Sequence, residues 1–203
     1  MRNAKGWMWA VLASATVVLS AGCGGNEDTN TNLVTDTDQH EDPLTLTDAQ
    51  IARVAQVANE GEVMLGELGQ ARATDPAVRD FNTRMVSEHT AVLQRLNQVL
   101  QAQGIQPEDS PVSLQLQEEV QRLMAAVERA PADKFDLAMM EAQLTAHART
   151  ALTADAVLAP QAQNAALVQE LTAERQSVQA HLREAATLQS TVYDVVFPPP
   201  PQP

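Results

Sequence analysis

The sequence predicts an all-α protein: an antiparallel four-helix bundle with a shorter fifth helix in the long connection between helix two and helix three. Aromatic residues make up only 3% of the 203-residue chain although 44% of it is apolar. The core must therefore be built mainly from Leu, Val, Met and Ala, which suit helices better than sheets. Apolar residues recur at three- and four-residue spacing through residues 46–190, and no segment there has the alternation of a strand.

The first two helices are predicted to form a hairpin. Thr47 followed by Gln50 is the capping-box signature of helix one. Asp75 and Pro76 are typical of the cap and first position of helix two, and Gly104 ends that helix. A turn this short makes the two helices antiparallel. Helix one also carries three glycines, which favour close helix approach inside the bundle or between protomers: Gly61, Gly66 and Gly69.

The second half of the domain repeats this layout after a connection at 105–130. Ser110 as a cap and Pro111 after it predict the shorter helix within that connection. Helix three is expected to start near Pro131, and Pro160 separates it from helix four. The bundle domain then ends at 190, and residues 191–203 form a Pro-rich tail.

The N-terminal residues 1–22 have the pattern of a secretory signal. Two basic residues precede an apolar run that ends at Leu19 and is shorter than the ~20 residues needed to span a bilayer. The stretch LSAGC resembles the lipobox of bacterial lipoproteins, with Ser20 where Leu is usual. That resemblance implies cleavage before Cys23 and acylation of its thiol. The alternative is an ordinary signal peptide with an incidental cysteine.

Residues 23–45 are predicted to hold the folded domain away from a membrane. After Cys23 the segment is rich in Asn, Thr and acidic residues, so it is expected to be a disordered tether. Gly24 follows the cysteine where Asp would favour inner-membrane retention, which favours the outer membrane, facing the periplasm. The net charge of -13 argues against binding to nucleic acid, and it also disfavours adsorption to an anionic lipid surface. The expected membrane contact is therefore the lipid anchor alone.

Three histidines lie on the apolar faces of three different helices: His89 on helix two, His147 on helix three and His181 on helix four. His40 lies in the tether. Acidic residues near the same faces could join the three: Glu62, Glu88, Glu141 and Glu174. Such a set could bind a divalent ion, for which Zn, Fe, Mn or Cu is suited, or form a hydrogen-bonded polar layer that fixes helix register.

Three stretches carry a family resemblance: ANEGEVMLGELGQARATDPAVRDFNTRMVSEHTAVLQRL, FDLAMMEAQLTAHARTAL and HLREAATL. Over residues 46–189 the chain resembles the bacterial family called domain of unknown function 4142, whose members are often labelled outer-membrane proteins. The resemblance implies a ferritin-like fold. It also implies candidate metal-site positions: Glu62, His89, Glu141, His147 and His181.

The sequence departs from a ferritin di-iron site, which needs Glu three residues before two of its histidines. Apolar residues stand there instead: Val86, Leu144 and Val178. A mononuclear site remains open. Counted from Pro160, His147 is 13 residues away and His181 about 20. This difference predicts an axial mismatch of roughly 10 Å, so the three histidines need not all meet in one place.

The leading hypothesis from the sequence is a non-enzymatic envelope lipoprotein with a structural or binding role. The second is a periplasmic metal-binding or metal-dependent redox protein that uses the inward His and Glu residues. The third is an enzyme with His and Glu as acid–base groups. No glycine-rich phosphate loop occurs, and the single cysteine is assigned to acylation, so nucleophilic and phosphate chemistry are disfavoured.

Overall fold

The computed structural model describes residues 45–199, and its regular structure is helical throughout that range. Five α-helices follow one another: α1 (Asp48–Arg72), α2 (Pro76–Gln103), α3 (Pro111–Glu128), α4 (Phe135–Thr153) and α5 (Ala165–Val196). A 3-10 turn at Ala132–Lys134 precedes α4, and a π-helical segment at Ala154–Leu158 follows it. The predicted signal segment, Cys23 and nearly all of the predicted tether lie outside the described residues.

The helix starts follow the predicted capping chemistry. Thr47 accepts from the backbone of Gln50, and the Gln50 side chain accepts from the backbone N–H of Thr47. Asp75 caps α2 with Pro76 in its first turn. At the other end of α2, Gly104 has a φ of 67°, the left-handed conformation that glycine adopts without strain. These predicted ends are confirmed.

The helices pack as two hairpins with a helix across one side. α1 lies along α2 and α4 lies along α5, and the hairpins meet where α2 contacts α5 and α1 contacts α4. The shorter helix predicted in the connection is α3, which packs on both α1 and α4. α3 therefore covers the α1–α4 contact. No helix of the described range covers the α2–α5 contact in this way.

The buried interior consists of two apolar clusters with polar residues between them. One cluster includes Ile51, Leu96 and Leu167, and the other is built around Phe81 and Met139. In α1, α2, α4 and α5, the part of the sequence between the residues of one cluster and those of the other contains buried polar residues: Asn59, Glu62, His89, His147, Glu174 and His181. The same order in four helices produces a polar layer across the domain.

The glycines of α1 allow close approach within this chain. A Cβ at Gly61 would lie 2.5 Å from Val120 of α3, and one at Gly69 would collide with the side chain of Asn82 on α2. A Cβ at Gly66 would be 3.0 Å from the Asn82 carbonyl oxygen. Of the two predicted alternatives, the structure shows packing inside the bundle for all three.

Pro160 separates α4 and the π-helical segment from α5, as predicted, and α5 begins at Ala165 with Asn164 as its cap. One boundary differs from the sequence prediction: α5 continues beyond residue 190 to Val196, where the Pro-rich tail was predicted to begin. Between residues 45 and 199, no helix combines the length and apolar character needed to cross a membrane.

Candidate metal centre

The three inward histidines meet in the polar layer. The ring centroid of His89 is 5.5 Å from that of His147 and 5.3 Å from that of His181, and the last two are 5.3 Å apart. One ring nitrogen from each lies within 4.8 Å of one from each of the others, and all three residues are buried. The prediction of an axial mismatch is therefore wrong. The count from Pro160 treated the residues before Ala165 as helical rise, whereas they form a loop.

The side chain of His89 is oriented by an amide. Its Nδ1 is 2.7 Å from Oδ1 of Asn59. The Asn59 amide nitrogen already donates to the Ala55 carbonyl at 2.9 Å and to Oε1 of Glu174 at 2.6 Å. The Asn59 oxygen must accept, so Nδ1 of His89 carries the proton. Its Nε2 is then an unprotonated nitrogen, buried and without a hydrogen-bond partner.

His147 is oriented by the backbone. Its Nδ1 donates to the carbonyl oxygen of Gln143 at 2.9 Å, one helical turn earlier. Oε1 of Glu62 lies 3.2 Å from the same nitrogen. A carbonyl can only accept, so the proton resides on Nδ1. Nε2 is again buried without a partner.

His181 has the opposite ring orientation. Its Nε2 donates to Oε2 of Glu88 at 2.6 Å, and the side chain of Glu88 is 47% exposed while that of His181 is 8% exposed. The carboxylate accepts this bond, so Nε2 carries the donated proton, and Nδ1 is buried without a hydrogen-bond partner. In all three rings one nitrogen is held by a hydrogen bond while the other is buried without a partner.

Burial keeps two of these imidazoles neutral. Removal from water lowers the pKa of His89 well below its usual value, and the nearby His147 and His181 lower it further. Burial also lowers the pKa of His147 to about 4. Neutral rings are the form that binds a metal ion. At pH 7 the lone pairs of His89 and His147 are therefore not occupied by protons.

Two buried carboxyl groups lie beside the cluster. Burial, with the charge of Glu174, raises the pKa of Glu62 well above its usual range. Burial raises the pKa of Glu174 to about 7, although its bond from Asn59 acts in the opposite direction. Oε2 of Glu174 and both oxygens of Glu62 have no hydrogen-bond partner. Glu62 approaches His147 at Nδ1, the nitrogen already bonded to Gln143, and not at the unpaired Nε2.

The predicted acidic residues differ in position. Glu62 and Glu174 are buried next to the histidines, and Glu88 binds His181 from the surface. Glu141, a predicted metal-site residue, is exposed and accepts from the Gln189 amide at 2.6 Å. It points away because its position on α4 is next to the inward face rather than on it. Among residues 45–199, the group with metal-ligand spacing consists of the three histidines.

Two polar residues of the centre were not predicted from the sequence. Asn59 holds His89, and Gln143 holds His147 through its carbonyl oxygen while its side chain donates to Asn82 at 2.9 Å. Both occur in helix interiors. Asn in a helix interior is intrinsically unfavourable, and this signal could have pointed to Asn59.

The arrangement can hold one metal ion through three imidazole nitrogens. Each ligand ring has a hydrogen-bond partner on its other nitrogen, the usual means of fixing tautomer and orientation in metal sites. Three protein nitrogens leave at least one coordination position for water or another small ligand. Imidazole is a good ligand for Zn, Cu, Fe and Ni.

The model of the family described as Domain of unknown function (DUF4142) matches residues 34–188 of the chain. The curated proteins and the solved structures contain no significant match to the chain. The matched range includes the residues of the polar layer on all four of its helices. The chain belongs to the domain of unknown function 4142 family.

Proposed function

We propose that this protein is an envelope metal-binding protein that holds one divalent transition-metal ion between His89, His147 and His181. The observation that carries the proposal is the set of three buried imidazole nitrogens without hydrogen-bond partners. Buried polar atoms in folded proteins are nearly always paired. One ring nitrogen of each histidine lies within 4.8 Å of one from each of the others, so one shared ligand would explain the three unpaired nitrogens.

A purely structural polar layer explains these atoms less well. In such a layer the side chains would satisfy one another, and an unpaired buried group costs roughly 1–3 kcal/mol. Here the hydrogen bonds of Asn59, Gln143 and Glu88 all go to one nitrogen of a ring and leave the other free. A bound ion would accept all three lone pairs at once.

The ligand set favours Zn²⁺ or Cu²⁺ over a carboxylate-rich iron centre. Three neutral imidazoles form a nitrogen-rich environment that both ions bind well. The apolar residues that precede each histidine by three positions support a mononuclear site over a ferritin-type pair of irons. The role we propose is ion binding in a domain with a ferritin-like four-helix arrangement.

The proposed location is the cell envelope, with lipid attached to Cys23. Support comes from the LSAGC stretch after an apolar segment and from the acidic tether that separates Cys23 from α1. Gly24 after the cysteine supports the outer membrane. A periplasmic domain on such an anchor would meet metal ions that have crossed the outer membrane.

The test is elemental analysis of the full chain purified without chelator, followed by thermal unfolding with Zn²⁺, Cu²⁺, Fe²⁺ and Mn²⁺ added separately. We expect about one equivalent of ion and a rise in melting temperature that depends on ion concentration. His147→Ala should abolish both effects, whereas His40→Ala, in the predicted tether, should preserve them. Substoichiometric metal together with an unchanged melting temperature for every ion would reject the proposal.

A further inference from the structure

The contact between α2 and α5, here called the α2–α5 seam, is closed at its surface by charged and polar pairs. Three such pairs bridge the two helices: Arg84 with Glu184 at 2.6 Å, Glu88 with His181 at 2.6 Å, and Arg95 with Glu170 at 3.0 Å. Ion pairs at a protein surface contribute little to stability. Parting the two helices at this surface therefore breaks only weak pairs.

A cavity of about 150 Å³ lies in the seam and reaches the metal centre. Its lining includes the buried residues His89, His181 and Glu174, and the half-exposed Glu88 stands at the same cavity. Ala91 of α2 and Ser177 of α5 also line it. Small side chains at these two positions leave the space between the helices unfilled.

The side of the domain opposite the α2–α5 seam is covered by a helix. There α3 covers the contact between α1 and α4, and a larger cavity of about 370 Å³ lies beneath it. That cavity is lined by Glu62 but by none of the three histidines. An ion entering there would meet Glu62 and none of the three histidines.

We propose that the metal ion enters and leaves through the α2–α5 seam, with Glu88 as the first carboxylate to receive it. The inference rests on the proposed function, since it concerns the path to the same three-histidine centre. Glu88 is both exposed to solvent and bonded to His181, so among residues 45–199 it connects the surface directly to a ligand ring. The chain's net charge of -13 favours the approach of cations. The centre is thus an exchangeable ion site and not a permanently closed structural one.

The experiment compares equilibrium affinity with exchange rate in the full chain, with Zn²⁺ as the probe. Ser177→Trp fills the seam cavity, and Thr145→Trp on α4, which lines the larger cavity, is the matched control. Zn²⁺ affinity is measured by competition with a chromophoric chelator, and release is measured by stopped flow after chelator excess. Ser177→Trp should slow Zn²⁺ uptake and release by about tenfold or more, equivalent to roughly 1.4 kcal/mol in barrier, with a near-unchanged affinity. Thr145→Trp should leave both rates unchanged.

Glu88→Gln supplies an independent readout, because it keeps a hydrogen-bond acceptor for His181 but removes the anionic ligand. It should slow Zn²⁺ uptake and reduce the ionic-strength dependence of that rate. If Ser177→Trp does not fold, Ala91→Leu narrows the same cavity from α2. Normal Zn²⁺ affinity with wild-type rates in the seam variants, or slowing in Thr145→Trp alone, would overturn the path while the metal centre stands. Absence of Zn²⁺ binding to the wild-type chain would reject the centre itself.

Discussion

Nδ1 of His89 on α2 donates to Oδ1 of Asn59 on α1 across 2.7 Å, in the buried layer between the two apolar clusters. This bond determines which nitrogen of His89 is free. The orientation of Asn59 is itself set by two further bonds, to Ala55 and Glu174. A residue that does not touch the ion is therefore expected to control its affinity.

Asn59→Ala should weaken Zn²⁺ binding by about 10–100-fold, the usual effect of removing the partner of a ligand histidine. Asn59→Asp keeps an oxygen that accepts from His89 and should recover part of that affinity. Gln56→Ala is the control. Gln56 lies on the same helix as Asn59, but its side chain makes an exposed hydrogen bond to Asn97. The measurement is chelator competition for Zn²⁺. Equal affinity in wild type and Asn59→Ala, with only a lower melting temperature, would show that Asn59 is structural.

Gly69→Ala is expected to damage the centre from a distance. The new Cβ would collide with Asn82, whose Oδ1 accepts from the side chain of Gln143, and the carbonyl of Gln143 holds His147. Overpacking of this kind costs about 1–3 kcal/mol in unfolding free energy. We expect that loss in urea unfolding, together with weaker Zn²⁺ binding.

The comparison for Gly69→Ala is Gly104→Asn, at a glycine with a φ of 67° where an added Cβ would meet no atom within 4 Å. Asn tolerates the left-handed conformation, so stability should change by no more than about 0.5 kcal/mol. Zn²⁺ affinity should stay at the wild-type value. A loss at Gly69 no larger than at Gly104 would contradict the packing argument.

Cys23→Ser tests the proposed lipid anchor. Without the thiol no diacylglycerol can be attached, and one or more acyl chains are what would hold the domain at a membrane. The variant should move from the membrane fraction to the soluble fraction of cells. Ser20→Leu, which restores the usual lipobox residue, should stay membrane-bound. Unchanged membrane fractionation of Cys23→Ser would exclude this anchor.

The helix ends could be predicted because their chemistry is local. Thr47 with Gln50, Asp75 with Pro76, and Gly104 each act on backbone groups within one turn, so the chain itself contains the signal. The inward direction of the histidines follows from their spacing relative to apolar residues for the same reason. Periodicity alone was enough to place them on the buried face.

The way in which the histidines meet could not be predicted from spacing. It depends on where the loop before Ala165 ends and on how neighbouring helices align, which are tertiary properties. Choosing between Glu62 and Glu141 also required the packed structure, because both lie near an apolar stripe and only Glu62 is buried. Which ring nitrogen lacks a partner also depends on other helices in two cases: Asn59 of α1 holds His89, and Glu88 of α2 holds His181.

Glu174→Gln should change the pH dependence of stability in the metal-free protein. The pKa of Glu174 is about 7 in the folded chain and has an ordinary value of 4.5. Between these values the folded state binds more protons than the unfolded state, so this group makes the free energy of unfolding fall as pH rises. Gln is neutral throughout and removes that contribution. In urea unfolding with chelator, the free energy of unfolding of Glu174→Gln relative to wild type should therefore rise from pH 4.5 to pH 7. A constant difference between the two proteins would contradict the raised pKa of Glu174.

His147→Gln should produce the opposite trend. The pKa of His147 is about 4 in the folded chain, below its ordinary 6.5, because the buried ring resists charging. Between these values the unfolded state binds more protons, so this group makes the free energy of unfolding fall as pH decreases from 6.5 towards 4. Gln does not titrate, and its side chain can still donate to the carbonyl of Gln143. With chelator present, the free energy of unfolding of His147→Gln relative to wild type should therefore rise as the pH is lowered. For Glu174→Gln the same relative free energy should fall as the pH is lowered. If both substitutions change the pH slope in the same direction, burial of neutral imidazole and neutral carboxyl groups in one layer is the wrong description of this centre.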